Sequence, residues 1–151
     1  MKKTLITVML LSFGLTLFGQ FVAKMQVKDD IPGLCDKNEV YALLSFIEGQ
    51  IQAKCPVSED DILKRLNSEV TFLKDSSNYQ DKGMINLIIN CKGEVVQCKM
   101  DNKTKNSQLD KQIESVFNTL GKWKSGKLDG RKVDSSRLFS FTIVNGMFTL
   151  K

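Results

Sequence analysis

The stretch from Leu109 to Val133, LDKQIESVFNTLGKWKSGKLDGRKV, limits what this chain can fold into more than any other. Leu109, Ile113, Val116, Phe117 and Leu120 recur at helical spacing and make one apolar stripe. Such a stripe has to be buried, so the neighbouring segments must supply a surface for it. Ser107 with Asp110 three residues later reads as a capping box with Asp in the place of Glu. Gly121 reads as the left-handed residue that ends the helix. Trp123 follows, placed to fold back onto the stripe as core. Gly126 and Gly130 mark turns on the way to a last apolar segment.

That surface is found on either side of the helix. In 84–90, Ile85, Leu87 and Ile89 alternate with Met84, Asn86 and Asn90, the period of a strand. Lys92-Gly93 is a turn, and Glu94 to Met100 returns, so 84–100 reads as a β-hairpin. After a polar link and the helix, Arg137 to Val144 is a third strand, with Phe139, Phe141 and Ile143 on its core face. Asn145-Gly146 is a further turn signal, followed by a short extension over 147–150. Upstream, Asp36 with Glu39, and the stripe Val40, Leu43, Leu44, Ile47 and Ile51, predict a helix over 37–54 that stops at Cys55-Pro56. Ser58 with Asp61, and Ile62, Leu66, Val70 and Leu73, predict a second helix over 58–73. The expected fold is α+β. A three-stranded antiparallel sheet in β-β-α-β order carries one crossover helix, and two N-terminal helices precede it.

The first residues read as an export signal. Lys2 and Lys3 precede an apolar run from Leu5 to Phe18, with a cleavage point between Gly19 and Ala23. The alternative is an uncleaved anchor, since a span needs roughly 20 residues. Residues 1–23 are thus a signal peptide, 24–36 a lead-in and 37–151 a single domain. The chain of 151 residues has a formal charge of +5; cleavage removes two lysines and no acids, leaving +3.

Four cysteines, Cys35, Cys55, Cys91 and Cys98, follow the signal and suggest two disulfides. If 37–54 is helical, Cys35 and Cys55 lie about 25 Å apart. Cys91 and Cys98 lie roughly 13 Å apart along the hairpin. Neither pair can then bridge within itself, and Cys35 and Cys55 each pair with Cys91 or Cys98. Their spacings match no zinc motif, and there is no CxxC.

The sequence contains no histidine, which removes the commonest general base and the commonest metal ligand. Asp60, Asp61 and Asp110 sit at helix starts, where capping accounts for them. No enzyme activity, cofactor or metal is expected. Lys122, Lys124, Lys127, Arg131 and Lys132 cluster around the glycine turns and read as a solvated face; nucleic acid is not an expected partner.

The ordered set GMINLIINCKGEVVQCKM, LDKQIESVFNTLGKWKSGKLDGRKV and FSFTIVNGMFTL resembles a TonB C-terminal domain over 84–150. Trp123-Lys124-Ser125-Gly126 is similar to that family's W-x-P-G, with Ser125 in the place of Pro, and Gly130 to Val133 to its G-x-x-V. Cys55-Pro56 stands where the family has Tyr-Pro. The resemblance implies a periplasmic domain of Gram-negative bacteria whose last strand takes up an extended segment of an outer-membrane transporter by strand addition. The partner-binding edge would be Arg137, Leu138, Phe139, Ser140, Phe141, Thr142, Ile143 and Val144. The family's energy transducers carry a long proline-rich spacer, whereas this chain has only Pro32 and Pro56. The expected role is therefore a stand-alone, exported, non-catalytic domain that binds a cell-envelope protein. The alternatives are a structural or dimerising envelope protein with the same fold, and an anchored accessory transducer.

Overall fold

The computed structural model describes residues 22–25, 30–37 and 39–150. The expected export segment lies outside these, apart from Val22 and Ala23. Among the described residues no helix is long and apolar enough to cross a membrane.

The hairpin and the last long strand form as the alternation requires. Strand β4 (Asp81–Ile89) pairs antiparallel with β5 (Val95–Asn102) on one side. On its other side it pairs antiparallel with β8 (Ser135–Val144), from Asp81↔Ile143 to Ile89↔Ser135. Gly93 at φ +83° makes the hairpin turn, and its carbonyl accepts the Trp123 N–H at 2.9 Å. A Cβ there would stand 2.0 Å from the Trp123 carbonyl oxygen, so only glycine lets the chain after the helix close on the turn.

Helix α1 (Glu59–Glu69) is capped by Ser58, whose hydroxyl accepts the Asp61 N–H at 3.2 Å. A 3₁₀ turn (Thr71–Leu73) continues it, and Ile62, Leu66, Val70 and Leu73 are all buried. Helix α2 (Ser107–Asn118) buries Leu109, Ile113, Val116 and Phe117, with Leu120 just beyond. Its cap is Asn106 rather than Ser107: the Asn106 side chain accepts the N–H groups of Gln108 and Leu109. Asp110 bonds Thr104 instead, so it holds the preceding loop and does not close a capping box. Both helices and Trp123, which is 3% exposed, cover the face carrying Ile85, Leu87, Ile89, Phe139 and Phe141.

The three-stranded sheet with two preceding helices is overturned. Among the described residues the principal sheet has six strands, and a second sheet has three. Among the described residues of 37–54 no helix forms. The segment holds β2 (Val40–Ala42), a run of turns, and β3 (Gln50–Ile51). Strand β1 (Ala23–Met25), inside the expected lead-in, pairs antiparallel with β2, and β2 meets β8 in parallel at Tyr41↔Ser135. Strand β3 pairs with β6 (Gly126–Leu128), which pairs with β7 (Arg131–Val133). Strand β9 (Met147–Leu150) folds back on β8 through Asn145-Gly146, both at positive φ.

Local bonds explain why the helical stripe fails here. Gly49 stands at φ +80°, which no helix accommodates. The Gln50 side chain takes the Leu44 N–H at 2.9 Å, and the Gln52 amide donates to the Leu43 carbonyl at 2.7 Å. The Tyr41 N–H goes to the Asp134 carbonyl at 2.9 Å. Side chains and a distant strand thus take the backbone groups that a helix would have paired with itself.

The opposite sheet face is covered by the segment 31–40. Ile31, Val40 and Ile88 form a small separate cluster there, with Leu34 and Val96 against it. This segment is tied down by the Cys35–Cys91 disulfide, with Cα atoms 6.0 Å apart. Of the two disulfides expected, this one forms. Cys55 and Cys98 are free, because they lie in different places: Cys55 just ahead of α1, and Cys98 on β5 beneath α2, its thiol against the Glu114 carbonyl at 3.7 Å.

Candidate partner-binding edge

Strand β8 is paired along nearly its whole length on the β4 side and unequally on the other. There, β2 reaches only Ser135, and β9 pairs Phe141 to Val144. Among the described residues no strand is paired on this side with those between, Ser136 to Ser140, beyond the β2 bridge at Ser135. Of the eight residues assigned to a binding edge, Arg137, Leu138, Phe139 and Ser140 therefore lie on the open part. Phe141, Thr142, Ile143 and Val144 are already taken by β9, where the Thr142 and Thr149 hydroxyls bond at 2.9 Å. The reason is the Asn-Gly turn, whose left-handed backbone returns the chain directly alongside the strand it has just left.

Backbone direction at the open part follows from its ends. The Asp134 carbonyl points to β2, and the two-residue turn requires Val144 to face β9. The even-numbered residues accordingly aim their backbone groups to this side. The Ser136 N–H is spent on β2 in the parallel bridge at Ser135, which leaves the Ser136 C=O and the N–H and C=O groups of Leu138 and Ser140 aimed at the gap. Leu138 is 53% exposed, while Phe139, on the other face, is 7% exposed.

Beside this gap, on the face of Arg137 and Phe139, lies a groove of about 460 Å³. Its far wall is the segment from Gln50 to Cys55 and the start of α1, with Ala53, Val57 and Ile62 as apolar lining. Arg137 enters from β8. Its Nη1 donates to the Gln52 side-chain oxygen, and its guanidinium lies over the Phe139 ring at 5.5 Å from the centroid. Its Nε is buried without a hydrogen-bond partner. Cys55 also lines the groove, but burial raises its thiol above the ordinary range, so it stays protonated and a poor nucleophile at neutral pH. Burial, helped by the nearby Glu114 charge, pushes the Cys98 thiol up to about 12.

Strand β5 offers the other long edge of the sheet, and it is defended. Its Met100 N–H is taken by a Glu114 carboxylate oxygen of α2 at 2.9 Å, and Lys99 and Asp101 are exposed along it. Charges and a capped donor are the usual means of keeping strands off an edge.

Asp134 has no counterpart in the sequence reading. Its buried carboxylate accepts the N–H groups of Cys35 (2.7 Å), Asp36 (2.8 Å) and Cys91 (2.7 Å). It thereby clamps both ends of the disulfide to the start of β8. The two sulfurs and an Asp134 oxygen lie within 4.8 Å of one another, but both sulfurs are committed to the S–S bond. The groove residues Gln52 and Ala53 were equally invisible, since they belong to the segment whose periodicity points to a helix. Trp123 is core, as its position after the stripe suggested, and the lysine-rich cluster lies on and around the second sheet, mostly exposed.

No protein-family model, no curated protein and no solved structure matches the chain.

Proposed function

We propose that this protein is a non-catalytic interaction domain of the cell envelope that takes an extended partner segment onto β8 between Ser136 and Ser140. The observation that carries the proposal is the five-residue interruption in β8 pairing, flanked by β2 and β9 and lying beside a groove. Open backbone donors and acceptors at even positions give such a segment its affinity, and the groove and the exposed Leu138 give it a choice of side chains. The resemblance to TonB C-terminal domains supports the same mode of binding, and it makes an outer-membrane transporter segment the first partner to consider. A periplasmic location accords with this reading and with a structural disulfide.

A photo-crosslinking residue placed at position 138, and in a separate strain at position 101 on β5, tests the proposal in living cells. Adducts to another envelope protein from 138 alone, lost when Ser140→Pro is added, are the expected result. Ser140 aims its N–H at the gap, so proline there removes a donor without touching the β4 ladder. Equal adducts from both positions, or none from 138, would overturn it. An adduct of twice the chain mass would favour the alternative, a domain that pairs with its own copy across the same gap.

A further inference from the structure

The groove holds a cation without a counter-ion. Arg137 forms no ion pair among the described residues. Gln52 occupies its Nη1, which leaves the Nε–Nη2 edge of the guanidinium unused, with Nε buried. A desolvated donor that is also charged is costly to leave unmet. The same edge presents two parallel N–H groups at the spacing of a carboxylate's two oxygens. Lys54 lines the groove as well, and its sole acidic lining is Glu59, whose place in the first turn of α1 suits the helix dipole.

The geometry points to a carboxylate-bearing extended segment as the occupant. The inference rests on strand addition at Ser136 to Ser140. A strand added there turns alternate side chains to the face of Arg137 and Phe139, and so into the groove; the side chains between them fall beside exposed Leu138. The partner signature is therefore an Asp or Glu set opposite Arg137, followed at the next position by an apolar residue. Arg137 is the specificity-determining residue. Its stacking on Phe139 and its bond to Gln52 hold the fork in place before the partner arrives.

Three threonine–valine octapeptides, identical except for a central Asp, Asn or Lys, test this against the oxidised full chain by amide chemical-shift titration. The Asp peptide should bind on the order of ten-fold tighter than the Asn peptide, the worth of a charge-assisted pair. The Lys peptide should bind weakest. Arg137→Gln should bring the Asp and Asn affinities together, and Arg137→Lys should restore part of the difference. Equal affinities of the Asp and Asn peptides for the unmodified protein, with shifts confined to 136–140, would sink the carboxylate assignment and leave strand addition standing. An absence of shifts at 136–140 with all three peptides would sink both. The comparison on the unmodified protein decides the matter even if Arg137→Gln fails to fold.

Discussion

Two layers cover the principal sheet on opposite faces, and they are held by different means. On one face, α1, α2 and Trp123 bury large apolar side chains against Leu87, Phe139 and Phe141. Both helices are capped from their own flanks, by Ser58 and Asn106. On the other face, the segment 31–40 buries only Ile31, Val40 and Ile88. Its position depends on one covalent bond, one carboxylate and Asn90, whose side chain donates to the Gly33 carbonyl at 2.9 Å. Apolar area is non-directional and tolerates small losses at many points. A clamp of a few directional bonds does not. The segment 31–40 leads into β2, which meets β8 only at Ser135, so one end of the open stretch of β8 is set by the weaker layer.

The largest break should come from the disulfide. Cys35 and Cys91 are 56 positions apart, and the loop they close contributes about 4 kcal/mol by chain entropy. Under reductant, the amides of 31–42 should lose hydrogen-exchange protection while those of Ile113 and Phe117 keep theirs. Simultaneous loss in both layers would mean that they are one cooperative unit. Asp134→Ala should follow, costing about 3 kcal/mol in denaturant unfolding, because three N–H groups lose a buried acceptor together. Its exchange signature should be confined to Cys35, Asp36 and Cys91 and their neighbours. Ser58→Ala tests the other layer: the lost cap should cost about 1 kcal/mol and leave the 31–42 amides unchanged.

The smallest effect is a titration, with one reporter in each layer. The chain has two tyrosines. Tyr41 donates its hydroxyl to Glu39, and that bond, then burial, raises its pKa above the ordinary value. Burial, then the bond to Asp81 at 2.8 Å, pushes Tyr79 up to about 12. A phenol whose folded pKa is raised contributes stability in full below its unfolded value of roughly 10, and loses it as pH rises through the folded value. Stability should therefore fall between about pH 10 and pH 12. Absorbance at the tyrosinate band should show Tyr79 ionising last, and Tyr41→Phe should remove the earlier step. Ionisation of both at the unfolded value would break the assignment.

Much of the helix-covered layer was legible residue by residue. Alternation at Ile85, Leu87 and Ile89, the stripe on α2, the Ser58 cap, the two Asn-Gly and Lys-Gly turns and the burial of Trp123 are all consequences of short-range period and turn chemistry. The candidate edge was legible only in part. Phe139 and Phe141 declared a strand, but whether its far side was open depended on where β2 and β9 stopped. The free thiols of Cys55 and Cys98 were illegible for a similar reason, since pairing is a matter of distance in the folded chain.

What the amino-acid order determined by itself, then, is the set of elements whose hydrogen bonds and apolar faces are satisfied by near neighbours: the hairpin, both helices and the final turn. What only the tertiary structure decided is the fate of 37–54. Its apolar spacing suits a helix, yet Tyr41 bonds Asp134, β3 bonds β6, and Gly49 turns left-handed between them. Helix signals there are worth only tenths of a kcal/mol per residue, and the strand pairings and side-chain bonds that take this segment's backbone groups outweigh their sum.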